Sequence, residues 1–392
     1  MFNDFNLLWE GAIANKIQVL ICRSNPVAPD PRVEKEARCL SRAGYSASVL
    51  GWDRSGLLPT RDRIDGVEVL RRRIRAGYAR GLMNLLPLLR WQVDLLKWLL
   101  CSRGRYDLIH ACDFDTILPA LFYKVLYKKK VIYDIFDFYA DHLRATPERI
   151  KRLIRLLDFW AIEHADAVIL VDDARHLQIA GAHPQQVVVI YNSPEDISAT
   201  LTPNQVSHDS ALRLSYVGLI QVERGLLQVL EVMSCHPEWT LELAGFGGDE
   251  AIILERAREL PNVKWHGRVP YHISIELSAR ADVLFALYDP CIPNHRFSSP
   301  NKVFEAMMLS KPLVVARGTN MDRIVEQADA GLVVEYGDVA ALENAFLRLE
   351  KEPDYRLRLG RNSRRVYEQK YSWNAAQERL LGLYLNLMGD MA

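Results

Sequence analysis

Apolar residues in this chain fall in short unbroken runs separated by longer stretches of mixed character. In the first half the runs are Ile17–Cys22, Ala47–Gly51, Val67–Leu70, Leu108–Ala111, Val131–Tyr133, Ala167–Val171 and Val187–Ile190. In the second half they are Leu212–Val217, Thr240–Ala244, Val263–Trp265, Val283–Leu287, Leu313–Ala316 and Gly331–Glu335. Runs this short and this continuous predict strands buried on both faces. The stretches between them read as amphipathic helices. Val33–Ala43 is one, and Gly44 after it suits a helix C-terminus. Strand and helix in alternation predict a parallel α/β architecture.

The alternation breaks once, at Asn192–Ser210, where Pro194 and Pro203 stand among Ser, Thr, Asn and Asp. This segment predicts a linker. The chain has 392 residues, enough for two domains. The expected division is a first domain over 1–195 and a second over 210–372. Residues 373–392, helical in pattern over Trp373–Met388, are expected to pack back on the first domain. Two parallel sheets in tandem would place strand carboxyl ends on either side of a cleft, where such sheets bind ligands.

Composition narrows the classes of function. The chain is 49% hydrophobic and 25% charged with a formal net charge of zero, which argues against a dedicated nucleic-acid binder. Between Arg61 and Arg105, however, eleven Lys and Arg face four Asp and Glu. Peripheral contact with a membrane through this basic stretch 61–105 is one reading. The other is an ordinary amphipathic helix with solvated arginines over Leu82–Leu100. The six cysteines show no CxxC spacing and predict reduced thiols, with neither a disulfide framework nor a zinc site. Asp4 and Glu10 make a poor signal peptide, and no apolar run is long enough to span a bilayer. A cytoplasmic protein is expected.

The segment Ser298–Ala316 carries the most chemistry. Ser299, Pro300, Asn301 and Lys302 form a turn that opens a short helix over Val303 and Glu305, before Lys311-Pro312 and an apolar strand. Proline suits a first helical turn, and the free N–H groups there attract anions. Glu305 stands about one turn in, within reach of sugar hydroxyls beside a bound phosphate. The arrangement suits a nucleotide sugar.

Beyond this segment, the second half resembles the retaining glycosyltransferases of family 4. The matching pieces are Tyr216-Val-Gly218, Glu223-Arg-Gly225, Ala244-Gly-Phe-Gly247, Asn262-Val263, Gly267-Arg-Val269, Ala281-Asp-Val283 and Ser299-Pro-Asn-Lys302, with Glu305 and Gly331 beyond. The first half adds Asp30-Pro-Arg-Val33 and Tyr106-Asp-Leu-Ile-His110. The resemblance implies the GT-B fold, two Rossmann-like domains facing across a cleft, and sugar transfer from a nucleoside diphosphate to an acceptor hydroxyl of a glycan, lipid-linked saccharide or small molecule. It implies no cofactor beyond that co-substrate and no metal. By the same resemblance Gly218, Gly245 and Gly247 admit the donor, Arg224 and Lys302 hold its diphosphate, and Gly267, Arg268 and Val269 read the base. Ser299, Pro300, Asn301 and Val303 complete the phosphate turn, and Glu305 holds the ribose. Asp30, Arg32, His110 and Asp113 fall on the acceptor side.

Two positions depart from the family pattern. Where a first glutamate is usual the chain has Phe297, with Asn294, His295, Arg296 and Ser298 nearby. Where a histidine usually lies near the sugar the chain has Phe136, with Asp134 or Asp137 as a substitute; Asp137 is therefore counted with Arg224 and Lys302 as catalytic. Asp113-Phe-Asp115 has the form of a metal-binding Asp-x-Asp. It stands far in sequence from the donor-phosphate residues, and Mg²⁺ normally bridges substrate phosphates. His110 reads equally well as a satisfied core histidine. A sugar-nucleotide epimerase of the same fold, a non-catalytic nucleotide-sugar-binding protein and an NAD oxidoreductase are the rival functions. The last lacks a glycine-rich fingerprint after strand one.

Overall fold

The computed structural model describes residues 16–77, 85–142, 146–201 and 211–389. The expectations for the N-terminal start (1–15), the opening of the helix predicted from Leu82 (82–84) and the far half of the linker (202–210) lie outside the described residues. The chain divides into two units, 1–190 together with 377–392, and 191–376.

The first unit is built on strands β1 (Gln18–Arg23), β2 (Ser46–Asp53), β3 (Arg61–Ile64), β4 (Val67–Arg73), β5 (Leu108–Cys112), β6 (Lys130–Ile135), β7 (Ala167–Leu170) and β8 (Val187–Val189). They lie in the order β3-β4-β2-β1-β5-β6-β7-β8. Every pairing is parallel except β3 with β4. Strand β3 was not among the expected runs because its residues are mostly charged. The local signal was Asp65-Gly66, whose positive φ angles of 49° and 85° close a tight hairpin. Helices Leu85–Cys101, Phe114–Tyr127 and Glu148–His164 follow β4, β5 and β6 and pack side by side. All three cross the sheet in the same sense, which places them on one face. Their inner sides contribute Trp91, Leu95, Tyr123, Ala161 and Ile162 to the core.

The second unit carries β9 (Arg213–Leu219), β10 (Thr240–Phe246), β11 (Val263–Trp265), β12 (Val283–Ala286), β13 (Leu313–Ala316) and β14 (Gly331–Val334). Their order is β11-β10-β9-β12-β13-β14, and every pairing is parallel. The direction of winding reverses between β9 and β12. Such a switch point leaves a crevice outside the strand carboxyl ends, the usual ligand position in doubly wound sheets.

The described part of the expected linker is fixed to the second unit. Tyr191 packs edge-on against Phe304 and Tyr371, with ring centres 5.7 and 4.8 Å away. The Tyr367 hydroxyl donates to the Pro194 carbonyl at 2.8 Å, and Arg364 pairs with Asp196 at 2.5 Å. The proline-rich composition marks a strap without regular structure, and its buried start belongs to the second unit from Tyr191 onward. The last helix, Trp373–Gly389, ends in the first unit. There Tyr384 is fully buried, its hydroxyl 2.8 Å from His110 Nδ1 and its ring edge-on to Tyr45.

One buried acid makes a stability prediction. Asp158 is fully buried and accepts a 2.6 Å hydrogen bond from the Tyr133 hydroxyl, while its second oxygen has no partner. Burial pushes its carboxyl up to about 7, against the pull of that hydrogen bond. The folded protein then binds more protons than the unfolded chain, so stability is full below the ordinary carboxylate range. It is lost as pH rises from about 4 through the folded value. Asp158→Asn keeps an acceptor for Tyr133 and removes the titration. Urea unfolding across this range should show a flatter pH dependence for the variant; an unchanged slope would remove Asp158 as its source.

Candidate functional site

At the β9 end of the switch point, Gly218 closes the strand beside the Lys302 side chain. A Cβ at Gly218 would stand 3.0 Å from the Lys302 ammonium, so a larger residue would fill the space over the strand end. The 3-10 turn Val222–Arg224 follows, ended by Gly225 in the left-handed region at φ 69°. There a Cβ would strike Leu287 at 2.5 Å, so glycine is required for the turn to approach β12. This turn aims Arg224 at Tyr288, just beyond β12, with the guanidinium carbon 3.8 Å from the ring centre.

Lys302 enters from the first turn of the helix Asn301–Met308. Its ammonium lies 3.4 Å from the Tyr216 ring centre and 5.9 Å from that of Tyr288. The side chain as a whole is half-buried, but the nitrogen is closed off and has no hydrogen-bond partner. Arg224 Nε and Ser299 Oγ are buried without partners in the same way. Burial, and next the Arg224 charge, hold the Lys302 ammonium well below the usual lysine range, with Glu305 opposing. Two cations brought together over aromatic faces, with the Glu305 carboxylate nearby, leave a positive charge that is costly to bury. An anion completes them.

The remaining donor-side residues surround this centre in different ways. Pro300 precedes the helix and accepts the Val303 N–H at 3.1 Å, while the Val303 side chain is core. Of the expected phosphate-turn amides, Val303 is thus internally bonded, while Asn301 and Lys302 belong to the first turn, where intrahelical acceptors are lacking. Glu305 is half-buried and accepts a hydrogen bond from the Tyr271 hydroxyl; burial and then this carboxylate raise the tyrosine's pKa. Gly267 has φ 69° and its carbonyl accepts the Gly245 N–H at 2.9 Å. Arg268 lies 4.6 Å over the exposed Phe246 ring, and Val269 is half-buried beside it. Gly245 and Gly247 face protein backbone: a Cβ would come within 1.8 Å of the Gly218 carbonyl and 2.1 Å of that of Ile220. Their first role is close packing of β10 on β9 and its extension.

Phe297 ends the 3-10 turn Pro293–Phe297. His295 is buried there, with Nδ1 2.9 Å from the Asp289 carbonyl, and Arg296 donates to the Pro290 carbonyl at 3.0 Å. Asn294 Oδ1 is buried without a partner, which makes Asn294 the neighbour of Phe297 best able to receive a ligand donor.

The first unit has its own switch point, between β1 and β5. Arg23, at the end of β1, pairs with Asp30 at 2.8 Å and with Asp113. Asp30 also caps the helix Pro31–Arg42 through the Val33 N–H. Asp113 Oδ1 accepts the Phe136 and Asp137 N–H groups at 2.9 and 3.3 Å. Burial outweighs the Arg23 charge and pushes the Asp113 carboxyl up to about 6. The Phe136 ring lies 4.0 Å from the Arg23 guanidinium and 4.8 Å from that of Arg32. Asp137 is half exposed and paired with Arg175 at 3.0 Å.

Of the acceptor-side residues, Arg32 departs from the expectation and His110 follows its alternative reading as a core histidine. Arg32 and His110 are 4% and 0% exposed. Arg32 pairs with Asp134 at 3.0 Å and Glu36 at 3.1 Å and donates to the Ile190 carbonyl; His110 lies between Tyr384 and Asp134. Central strands and first helical turns of a doubly wound unit are covered on both sides, so these groups form an ion-paired polar core, in which the Glu36 oxygens make no hydrogen bond. Asp134 belongs to that core and not to an open site. The Asp-x-Asp reading as a metal site finds no support: Asp113 is committed to Arg23 and two amides, and Asp115 is 7% exposed. Among the described residues His110, Cys112 and Asp134 bring possible ligand atoms within 4.8 Å. Arg32 already occupies Asp134, and burial holds the Cys112 thiol well above its ordinary pKa, so the trio suits a packed core better than a cation. Tyr216, Tyr288, Tyr271, Phe246 and Arg23 were not anticipated. Aromatics in apolar runs read as core, and only the positions of Arg23 and Phe246 at strand carboxyl ends hinted at more.

The family described as Glycosyl transferases group 1 matches residues 202–366, and the Glycosyl transferase 4-like domain matches residues 28–193. An alpha-D-kanosaminyltransferase of Streptomyces kanamyceticus is 29% identical over 82 residues, 21% of each chain. A GDP-mannose-dependent monoacylated alpha-(1-6)-phosphatidylinositol monomannoside mannosyltransferase of Corynebacterium glutamicum is 28% identical over 161 residues, 39% of this chain and 40% of that one. The alignments thus span two fifths or less of these curated relatives. Sucrose-phosphate synthase from Thermosynechococcus elongatus has a TM-score of 0.76 at 16% identity, covering 96% of this chain and 100% of that one. HepE of Anabaena in complex with UDP has a TM-score of 0.70 at 16% identity, covering 94% and 100%. The shared fold is GT-B.

Proposed function

The chain belongs to the glycosyl transferases group 1 family, and from that premise we propose that it moves a sugar from a nucleoside diphosphate to an acceptor hydroxyl with retention at the anomeric carbon. One observation carries the reading: Arg224 and Lys302 are brought together at the β9/β12 switch point, with Arg224 Nε and Lys302 Nζ buried and without hydrogen-bond partners. A diphosphate supplies the missing charge, and the UDP complex of HepE supports a nucleotide as its source.

In this reading the diphosphate lies over Gly218 against the start of the helix 301–308. Arg224 grips its oxygens through a planar fork, and Lys302 acts as a point charge. The exposed Phe246 face and the backbone of Gly267–Val269 receive the base, and Glu305 accepts ribose hydroxyls. As the C1–O bond to phosphate breaks, positive charge develops on the sugar ring and negative charge on the departing oxygen. Fixed cations stabilise that negative charge without reorganising. The acceptor oxygen bonds to C1 on the face the phosphate leaves, and its proton passes to the departing phosphate oxygen. No protein nucleophile is needed, and Asp137, held by Arg175, is assigned to orienting a sugar. Two protein cations fill the place of a divalent ion, so activity should persist in EDTA.

A thermal screen of nucleoside diphosphates and their sugars identifies the donor, because a ligand of the native state raises the melting temperature. Transfer to an added acceptor and the coupling constant of the new anomeric proton then test retention. An absence of stabilisation by every nucleotide would overturn the proposal. Donor epimerised without acceptor would favour the epimerase, and affinity without turnover would favour a binding protein. Glu305→Ala should weaken nucleotide binding about tenfold, the scale of one or two charge-assisted hydrogen bonds. Calorimetry giving wild-type affinity would remove Glu305 from the ribose.

A further inference from the structure

We propose that the outer face of the three helices 85–101, 114–127 and 148–164 docks on an anionic phospholipid bilayer. The observation is where exposed apolar side chains stand. Twelve of the nineteen large exposed ones among the described residues lie on these helices. Leu86 is 75% exposed, Val125 81%, Leu153 57%, Leu156 61% and Trp160 46%. Scattered exposed leucines are ordinary, but a row of neighbouring helices that all turn apolar residues outward is not.

Helix 148–164 shows the pattern most clearly. Its inner side is committed to the core through Ala161, Ile162 and the Asp158–Tyr133 hydrogen bond. With that side satisfied, a solvated outer side would be polar. Instead Leu153, Leu156 and Trp160 recur there at spacings of three and four residues, flanked by Arg149, Arg152 and Arg155. An apolar stripe bordered by arginines is the arrangement of a helix lying in a bilayer interface. The arginine stems add apolar cover while their heads reach the phosphates, and an indole is favoured at that depth.

Charge chooses the partner. On the three helices Arg90, Lys97, Arg149, Arg152 and Arg155 are exposed, the last paired with Asp141 at 2.9 Å, against Glu148 as the exposed carboxylate and Glu163 as a half-buried one. Asp115 and Asp158 are buried, and Asp94 is paired with Arg72 at 2.7 Å. The face is therefore apolar and cationic together, complementary to anionic headgroups over acyl chains.

This relocates the membrane contact expected of the basic stretch 61–105. Arg71 is spent on Asp62 and on the Pro26 and Val27 carbonyls, Arg72 on Asp94, and Arg73 on the Leu58 carbonyl. From that stretch the helix 85–101 shares the proposed surface. No helix among the described residues is long and apolar enough to cross a membrane, so the contact is peripheral.

Co-sedimentation with phosphatidylcholine vesicles, with and without about one third phosphatidylglycerol, tests the proposal. Wild-type protein should partition at least about tenfold more strongly onto the anionic vesicles at about 0.15 M salt. Leu153→Glu with Leu156→Glu should lower that partitioning about tenfold or more, with a wild-type melting temperature showing the fold intact. Arg149→Glu with Arg152→Glu should erase most of the preference for anionic vesicles. Acyl chains brominated near the headgroup should quench a fluorescence component that Trp160→Phe removes. Wild-type protein left in the supernatant would overturn the proposal, as would variants that bind like wild type. Self-association lost in the Leu153/Leu156 variant, without vesicle binding, would reassign the face to contacts between protein chains.

Discussion

Arg224→Ala should lower kcat/KM by about 10²-fold or more, the scale of removing one preorganised donor aimed at developing charge. The guanidinium is held over the Tyr288 ring by a turn that only glycine at position 225 permits. Its position is therefore fixed before a ligand arrives. Much of the loss should fall on kcat, because negative charge on the diphosphate oxygen grows as the C1–O bond opens. Arg224→Lys restores charge without the planar fork and should recover part of the rate. Steady-state kinetics with the donor found in the thermal screen decide it. A wild-type rate in Arg224→Ala would take the residue out of the mechanism.

Lys302→Met should separate stability from activity. Replacing a closed-off ammonium that lacks a hydrogen-bond partner with a thioether of similar length should stabilise the unliganded protein by about 1 kcal/mol or more. The same change should lower kcat/KM by about 10²-fold or more. A proton inventory adds a second test. The Lys302 pKa is depressed in the folded protein. The unfolded chain therefore holds more protons between that depressed value and the ordinary lysine pKa of about 10.4, and stability rises with pH across this window. A bound diphosphate draws the ammonium's pKa back up, so nucleotide binding should take up protons in the window and weaken as pH rises. Calorimetry in buffers of different ionisation enthalpy measures the uptake, and Lys302→Met should abolish it. Uptake that persists in the variant would assign the proton elsewhere.

Much of this fold was legible because buried parallel strands leave an unambiguous trace. Leu108–Ala111, expected as a strand, is β5 (Leu108–Cys112), and Leu313–Ala316 is β13 residue for residue. Strand β3 escaped because an edge strand needs only one buried face, and Arg-Asp-Arg-Ile buries little. The strap after Tyr191 escaped because its order comes from side chains supplied by helices far along the chain, such as Arg364 and Tyr367. The candidate site divides along the same line. Lys302 and Glu305 drew notice through a local turn and helix start, Gly218 and Arg224 through the family resemblance. Arg32 read as an acceptor-side residue, and His110 read either as that or as a core histidine. What buries them is Asp134, 102 residues from Arg32, and Tyr384, 274 residues from His110. Polarity alone does not reveal whether a charged residue faces a ligand or a distant partner.

Tyr384 also limits how such a chain can be rearranged. The polypeptide leaves the first unit after Ile190 and re-enters it at Gln377. A single splice near residue 190, grafting a relative's entire C-terminal half onto this N-terminal half, would therefore import a foreign terminal helix and with it a foreign residue opposite His110. Exchanges that preserve the interior of both halves need two junctions, one at each crossing. Recombination between relatives is thus constrained to swap the middle of the chain while inheriting both ends together.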